Sequence, residues 1–136
     1  MIEPNLWYHF KEFNANPKGE KTNDSEVRAL ALAFDMTWYD VYDELSAIGR
    51  DLAVFGDVKA VVKSFLAKRN VEVAKTSRHV WPDVAAYANM HPDGRYILFV
   101  GKGARDYGLT VMINGCIYDT EDCTHRVIRK AWKVGE

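Results

Sequence analysis

The chain has few of the features that would assign it to a specialised class of protein. Its two cysteines are too few for a disulfide framework, and no apolar run approaches the length of a transmembrane helix. A formal net charge of -1 excludes the overall positive charge typical of nucleic-acid-binding proteins. The amino-terminal residues lack the charged and then apolar pattern of a signal peptide. We therefore expect a cytoplasmic protein that binds neither membranes nor nucleic acids.

The sequence also lacks motifs for metal and cofactor binding. Among the four histidines and two cysteines, only Cys123 and His125 lie close together, and one intervening residue on an extended segment does not preform a pair of metal ligands. The Gly101-Lys102-Gly103 segment has no Ser or Thr after a Gly-Lys pair and no helical pattern behind it, so a solvated turn is favoured over a phosphate-binding loop. Neither a metal nor a cofactor is expected.

The 136 residues are 48% hydrophobic and 12% aromatic, which is enough to bury one core. The composition predicts a single domain over 23–136. Residues 1–22 mix aromatic side chains with Asn, Pro, Gly and Lys, a composition that indicates an irregular N-terminal arm packed on the domain.

The strongest local signal is a hairpin around Asn114-Gly115, which joins two apolar, β-prone runs. A type I′ turn needs positive φ at both central positions, and Asn-Gly adopts it readily. Alternation places Leu109, Val111 and Ile113 on one face and Thr110 with Met112 on the other. Because both faces are largely apolar, the hairpin is predicted to lie in the middle of a sheet, with Asp119 at the end of its second strand.

Helical periodicity dominates the first half of the chain. Asn23 and Glu26 form a potential capping box for a helix that extends to about Phe34, and Thr37 and Asp57 are the predicted N-caps of the next two helices. A short helix is predicted from Trp81-Pro82 to about Asn89.

Strand patterns dominate the second half. One strand is predicted at 96–100, and another at 126–134 with Ile128, Trp132 and Val134 on one face. Helices followed by antiparallel strands predict the α+β class.

Three segments resemble a group of phage and bacterial papain-like (NlpC-type) cysteine peptidase proteins. NDSEVRALALAFDMTWYDVYDEL resembles their first part, in which Asp-Cys-x-x-Arg-Ala opens a helix and a Thr-Trp helix follows. HPDGRYILFV and GLTVMINGCIYDTEDC resemble their second part, with a strand, a His-Leu-Thr strand and a Tyr-Asp-Thr strand end. The resemblance covers about 22–134 and implies N-terminal helices packed on a small antiparallel sheet.

The resemblance also implies a catalytic site with degenerate positions. The family nucleophile falls on Ser25, the general-base histidine on Gly108 and the orienting carboxylate on Asp119. Such a site needs an activated nucleophile beside an imidazole that a carboxylate orients. Ser25 has no base at position 108, and Glu26 adds a negative charge that opposes an anion at Ser25. The expected function is therefore protein binding by an inactive papain-like domain, such as a phage-encoded protein that acts on a host partner.

Two alternatives remain open at this stage. One is a hydrolase of amide or isopeptide bonds whose cysteine has been replaced by Ser25, or which uses His91 or His125 as its base. The other is a structural, virion-associated protein. Simpler roles are also possible for Ser25 and Asp119 as capping residues, and for Cys116 as a small buried side chain. For a binding protein, the loop before the hairpin is the first candidate surface, with Lys102, Arg105 and Tyr107 as its binding residues.

Overall fold

The computed structural model describes residues 9–71, 73–74, 83–101 and 107–135, and for Tyr107 only the backbone. Its helices and strands confirm the α+β class, although one short strand precedes the first helix. The helices are α1 (Ser25–Ala33), α2 (Trp38–Leu52), α3 (Val58–Lys68) and α4 (Val84–Met90), and the strands are β1 (Phe10–Glu12), β2 (Arg95–Gly101), β3 (Tyr107–Ile113), β4 (Cys116–Asp119) and β5 (Ile128–Val134).

The strands form one sheet in the order β1-β4-β3-β2-β5. Three of the pairings are antiparallel, but β1 runs parallel to β4. The sheet is therefore mixed, and the prediction of an antiparallel sheet is wrong at this edge. An irregular arm is also the wrong description of Phe10–Glu12, which pair with Ile117–Asp119. Three residues are too few to show a strand period, so only pairing with the open edge of β4 defines this strand.

The predicted hairpin is confirmed. Asn114 and Gly115 have φ values of 51° and 76°, and they connect two strands that both have neighbours on their outer sides. Leu109 and Val111 lie on one face of β3 in the core shared with α1, α2 and α3. Met112 lies on the opposite face, in a second core with α4 and the segment around Cys123. The sheet thus has an apolar core on each side.

Two of the three predicted helix N-caps are present in the structure. The side chains of Thr37 and Asp57 accept hydrogen bonds from the backbone N–H groups of Asp40 and Ala60, which confirms both N-caps. The capping box at Asn23 is wrong, because α1 begins at Ser25 and its N-cap is Asp24. For the short fourth helix, the predicted start at Trp81-Pro82 lies outside the described residues.

The pattern predicted for the last strand is interrupted by a bulge. Ile128 pairs with Val100 and Lys130 pairs with Phe99, so one extra residue lies between the two pairs on β5. The extra residue reverses the alternation. Ile128 consequently packs in the core around α4, whereas Trp132 packs in the core around α1, and the prediction that they share a face is wrong.

Two searches over the described residues give negative results. None of the described helices is both long and apolar enough to span a membrane. The same residues contain no group of three or more His, Cys, Asp or Glu side chains placed to hold a metal ion.

Candidate functional site

A pocket of about 140 Å³ opens where β4 ends beside β3. The ladder between these strands stops at the Val111–Tyr118 pair, so the first residues of β3 have no β4 partner on this side. The N-terminus of α1 fills part of the gap. The backbone N–H of Leu109 points to the hydroxyl of Ser25, with an N–Oγ distance of 3.4 Å. The start of α1 therefore lies against residues of β3 that have no strand partner on this side.

This pocket, called the Ser25 pocket below, contains all three positions that were predicted to form a degenerate triad. Ser25 is the first residue of α1, Gly108 lies in β3 and Asp119 ends β4. Their predicted proximity is confirmed, while their roles stay predictions. The lining residues are Lys21, Thr22, Ser25, Arg28, Val100, Gly108, Leu109, Asp119, Thr120, Glu121, Cys123 and Arg126.

No histidine lines the Ser25 pocket among the described residues. The Nδ1 atom of His91 lies 3.2 Å from the hydroxyl of Tyr96. Tyr96 pairs with Met112, four residues along β3 from Gly108, which is roughly 14 Å of strand. His125 is exposed and does not line the pocket, although Cys123 and Arg126 on either side of it do. Neither candidate base is placed to take a proton from Ser25.

Asp119 is held by a cation rather than by an imidazole. Its Oδ1 atom accepts hydrogen bonds from Arg28 at 2.8 Å and from the backbone N–H of Thr120 at 2.7 Å. The Nε atom of Arg28 donates to Asp24 at 2.7 Å, so one guanidinium bridges two carboxylates. Burial lowers the pKa of Arg28, but its hydrogen bonds to Asp24 and Asp119 outweigh that effect and raise it. Arg28 is therefore a fixed positive charge.

Asp24 anchors the other side of this network. Its Oδ2 atom accepts from the indole of Trp38 at 2.8 Å and from the side-chain amide of Asn16 at 3.0 Å. Burial raises the pKa of Asp24, but the hydrogen bonds from Arg28, Asn16 and Trp38 together lower it below its ordinary value. Because its carboxylate is directed into this network, Asp24 makes no side-chain cap on α1.

Cys123 is the cysteine that lines the pocket, and its environment opposes ionisation. The residue is buried in the core around α4. Burial and the nearby charge of Asp119 raise the pKa of its thiol to about 12. A thiol in that state is a poor nucleophile near neutral pH. Cys116 lies beside the hairpin turn, and burial raises the pKa of its thiol as well.

Arg126 differs from Arg28 in having no partner among the described residues. Its Nε atom is buried and makes no hydrogen bond to them, although its side chain lines the pocket. The segment is nevertheless fixed, since the backbone N–H of Arg126 donates to Cys123 at 3.0 Å and its carbonyl accepts from Val84 at 3.0 Å. An immobilised backbone therefore presents a guanidinium that lacks an acceptor.

Sequence analysis did not single out Asp24 or Arg28 of this region, and Arg126 stood out only as one of several basic residues of the last strand. Asp24 and Arg28 stand four residues apart, the spacing at which opposite charges pair on a helix. They are also the acidic and basic positions of the Asp-Cys-x-x-Arg-Ala pattern. Nothing local distinguishes Arg126 from the other basic residues near the C-terminus.

The structure does not test the three predicted binding residues. Lys102 and Arg105 lie outside the described residues, and of Tyr107 only the backbone is described, paired with Gly101 at the start of β3.

Comparisons of the chain with profiles of protein families, with curated protein sequences and with solved structures found no match.

Proposed function

We propose that the protein is a catalytically inactive domain of the papain-like (NlpC-type) fold that acts by binding another protein. By its resemblance to phage and bacterial proteins, it is a phage-encoded protein that acts on a host partner in the bacterial cytoplasm. The Ser25 pocket is the remnant of a catalytic cleft and contributes to the binding surface.

At the triad positions the side chains make contacts that differ from those of a working triad, and this observation supports the proposal. Ser25 meets a backbone N–H where a nucleophile would meet an imidazole, and Arg28 occupies the carboxylate that would orient that imidazole. A serine hydroxyl without a base has almost no alkoxide at neutral pH. The polar groups of the pocket suit binding, but its described lining contains no histidine to accept a proton from Ser25, as hydrolysis needs.

The hydrolase alternative requires a base that reaches Ser25. His91 is engaged with Tyr96 further along the sheet, and His125 does not line the pocket. A cysteine at position 25 would likewise have no histidine beside it in the described lining of the pocket. The virion-associated alternative is not favoured by any particular contact. Binding is therefore the function that the arrangement supports best.

Thiol reactivity at position 25 tests whether the pocket is a former triad. Ser25→Cys should react only slowly with iodoacetamide, because no base lies beside it. Adding Gly108→His should raise the rate and shift its pH dependence to lower pH, and a further Asp119→Ala should remove the gain. Mass spectrometry of digested protein would assign the label to position 25 and separate it from Cys116 and Cys123.

Ser25→Cys with Gly108→Ala is the matched control, since it adds a side chain at the same place without a base. Equal rates in all the variants would show that the cleft is not a former triad. Peptide hydrolysis by the unmodified protein, abolished by Ser25→Ala, would refute the proposed inactivity.

Partner capture tests the binding surface. If the loop before β3 makes the contact, Lys102→Glu with Arg105→Glu should abolish recovery of the partner. The control with the same change of charge is Arg50→Glu with Lys63→Glu, two exposed positions on α2 and α3. Loss in the control but not in the loop variant would place the contact on the helices.

A further inference from the structure

The charges that line the Ser25 pocket are unevenly paired. Lys21, Arg28 and Arg126 supply the cations, and Asp119 and Glu121 supply the anions. Arg28 makes two ion pairs, because it bridges Asp24 and Asp119 at 2.7 and 2.8 Å. Lys21 and Glu121 are exposed, where water screens their charges. The remaining charge is Arg126, which forms no salt bridge to a described residue and has a buried Nε without an acceptor.

A buried donor without an acceptor destabilises the free protein, so such groups are uncommon in structures. Arg126 also lines the Ser25 pocket, where a bound anion could meet its guanidinium group. The hydroxyl of Ser25 lines the same pocket, and so does that of Thr22. The N-terminus of α1, where Asp24 makes no side-chain cap, adds the positive end of the helix dipole at Ser25. All of these groups favour an anion.

We propose that the Ser25 pocket binds a carboxylate of a peptide partner, with the guanidinium of Arg126 as its main contact. This inference rests on the proposed binding function. A planar guanidinium matches a carboxylate through two parallel N–H···O bonds. A pocket of about 140 Å³ is well below the size of pockets that hold drug-sized ligands, but it has room for one carboxylate and a short stretch of chain.

The charge of the pocket favours a monoanion over phosphate. Of the two guanidinium groups that line it, only that of Arg126 makes no ion pair to a described residue, and Asp119 and Glu121 line the same pocket. A phosphate ester carries a charge of about -1.5 to -2 at pH 7, and both carboxylates would repel it more strongly than they repel a carboxylate ligand. Two parts of a peptide offer the required group, the C-terminus and an Asp or Glu side chain, and these must be distinguished by experiment.

Titration of the full chain followed by amide NMR shifts would test the site with four probes. They are acetyl-Ala-Ala-Ala with a free C-terminus, the same peptide amidated, acetyl-Ala-Glu-Ala-amide and inorganic phosphate. The first or third probe should shift the amides of Ser25 and Gly108 to saturation, and the amidated alanine peptide should not. Binding of only the first probe identifies a C-terminus as the ligand, and binding of the third identifies an acidic side chain.

Arg126→Gln should weaken binding of that peptide by roughly tenfold or more, because it removes charge-assisted hydrogen bonds. Arg50→Gln removes the same charge from an exposed position on α2 and should leave affinity unchanged. Since no described residue accepts a hydrogen bond from the Nε atom of Arg126, its replacement should also keep or raise the melting temperature. If Arg126→Gln does not fold, Arg126→Lys serves instead, because it keeps the charge but lacks the fork and should bind more weakly than the parent protein.

Unchanged affinity in the Arg126 variant would overturn the inference, and so would tighter binding of phosphate than of either carboxylate peptide. The two proposals fail separately. A peptide that is bound through Arg126 and then cleaved, with cleavage lost on Ser25→Ala, would refute the inactive function and leave the carboxylate site standing. A protein that neither cleaves nor shifts with any probe would refute the carboxylate site alone.

Discussion

The two ends of the central hairpin differ in how completely their polar groups are paired. At the turn, His9 bridges Gly115 and Asn89 with ring-nitrogen distances of 2.8 and 2.9 Å. Asn114 and Gly94 exchange hydrogen bonds at 2.8 and 3.0 Å. At the opposite end, β4 stops early, a pocket opens and Arg126 lacks an acceptor among the described residues. Hydrogen bonds stabilise the turn end of the hairpin. The pocket end has a buried polar group without a partner among the described residues, and such groups are typical of binding sites.

The largest effect should come from breaking the Arg28 network that stabilises the pocket end. Arg28→Met would leave Asp24 and Asp119 without their shared cation, and losing one partner of a buried ion pair costs about 3 to 5 kcal/mol. Urea unfolding should show the loss. Arg126→Met is the control and should leave the unfolding free energy unchanged or raise it. Equal losses in the two variants would remove the distinction between the two arginines.

A smaller loss is expected at the turn end. Gly115 has a φ of 76°, and a Cβ added there would lie 3.4 Å from the carbonyl oxygen of Ala88. Gly115→Ala should lower stability by about 1 to 2 kcal/mol, the cost of the left-handed conformation, with an addition from this close contact. Gly56→Ala is the matched control, since Gly56 has a φ of 78° and no atom within 4 Å of the added Cβ. If Gly56→Ala destabilised as much, the packing of the turn would contribute nothing.

Acid should weaken the pocket end through Asp24. Its pKa in the folded protein is lowered, so its contribution to stability is present above the ordinary value of 3.8 and is lost as the pH falls through the folded pKa. We expect the unfolding free energy to fall below about pH 4, and by less in Asp24→Asn than in the parent protein. Asp43→Asn, at an exposed carboxylate of α2, should keep the parent pH dependence. An identical slope in all three proteins would contradict the assignment.

The smallest effect concerns reactivity and leaves stability unchanged. Cys116, beside the turn, is partly exposed, whereas Cys123, at the pocket, is buried with a thiol pKa raised to about 12. Iodoacetamide at pH 8 should therefore label Cys116 before Cys123, as peptide mass spectrometry would record. Cys116→Ser should remove most of the early labelling. Faster labelling of Cys123 would mean that the pocket opens more readily than its burial indicates.

Local sequence chemistry predicted those features that depend on neighbouring residues alone. Asn114-Gly115 is a turn because both positions tolerate positive φ, and Thr37 and Asp57 cap helices because their side chains reach amides three residues ahead. The alternation along β3 followed from its period of two. The proximity of Ser25, Gly108 and Asp119 was also predicted, but from a family resemblance and not from local pattern.

Tertiary structure decided the features that depend on residues far apart in the chain. Asp24 carries the same carboxylate as Asp57, yet it does not cap its helix, because Arg28, Asn16 and Trp38 take up its oxygens. Phe10–Glu12 form a strand because the edge of β4 accepts them, and a bulge against β2 moves Ile128 and Trp132 to opposite faces. The pairing of Arg28 with Asp119, and the lack of a partner for Arg126 among the described residues, follow from the same cause. A charge is paired or left unpaired only when folding sets its distance from other charges, and a single sequence does not contain those distances.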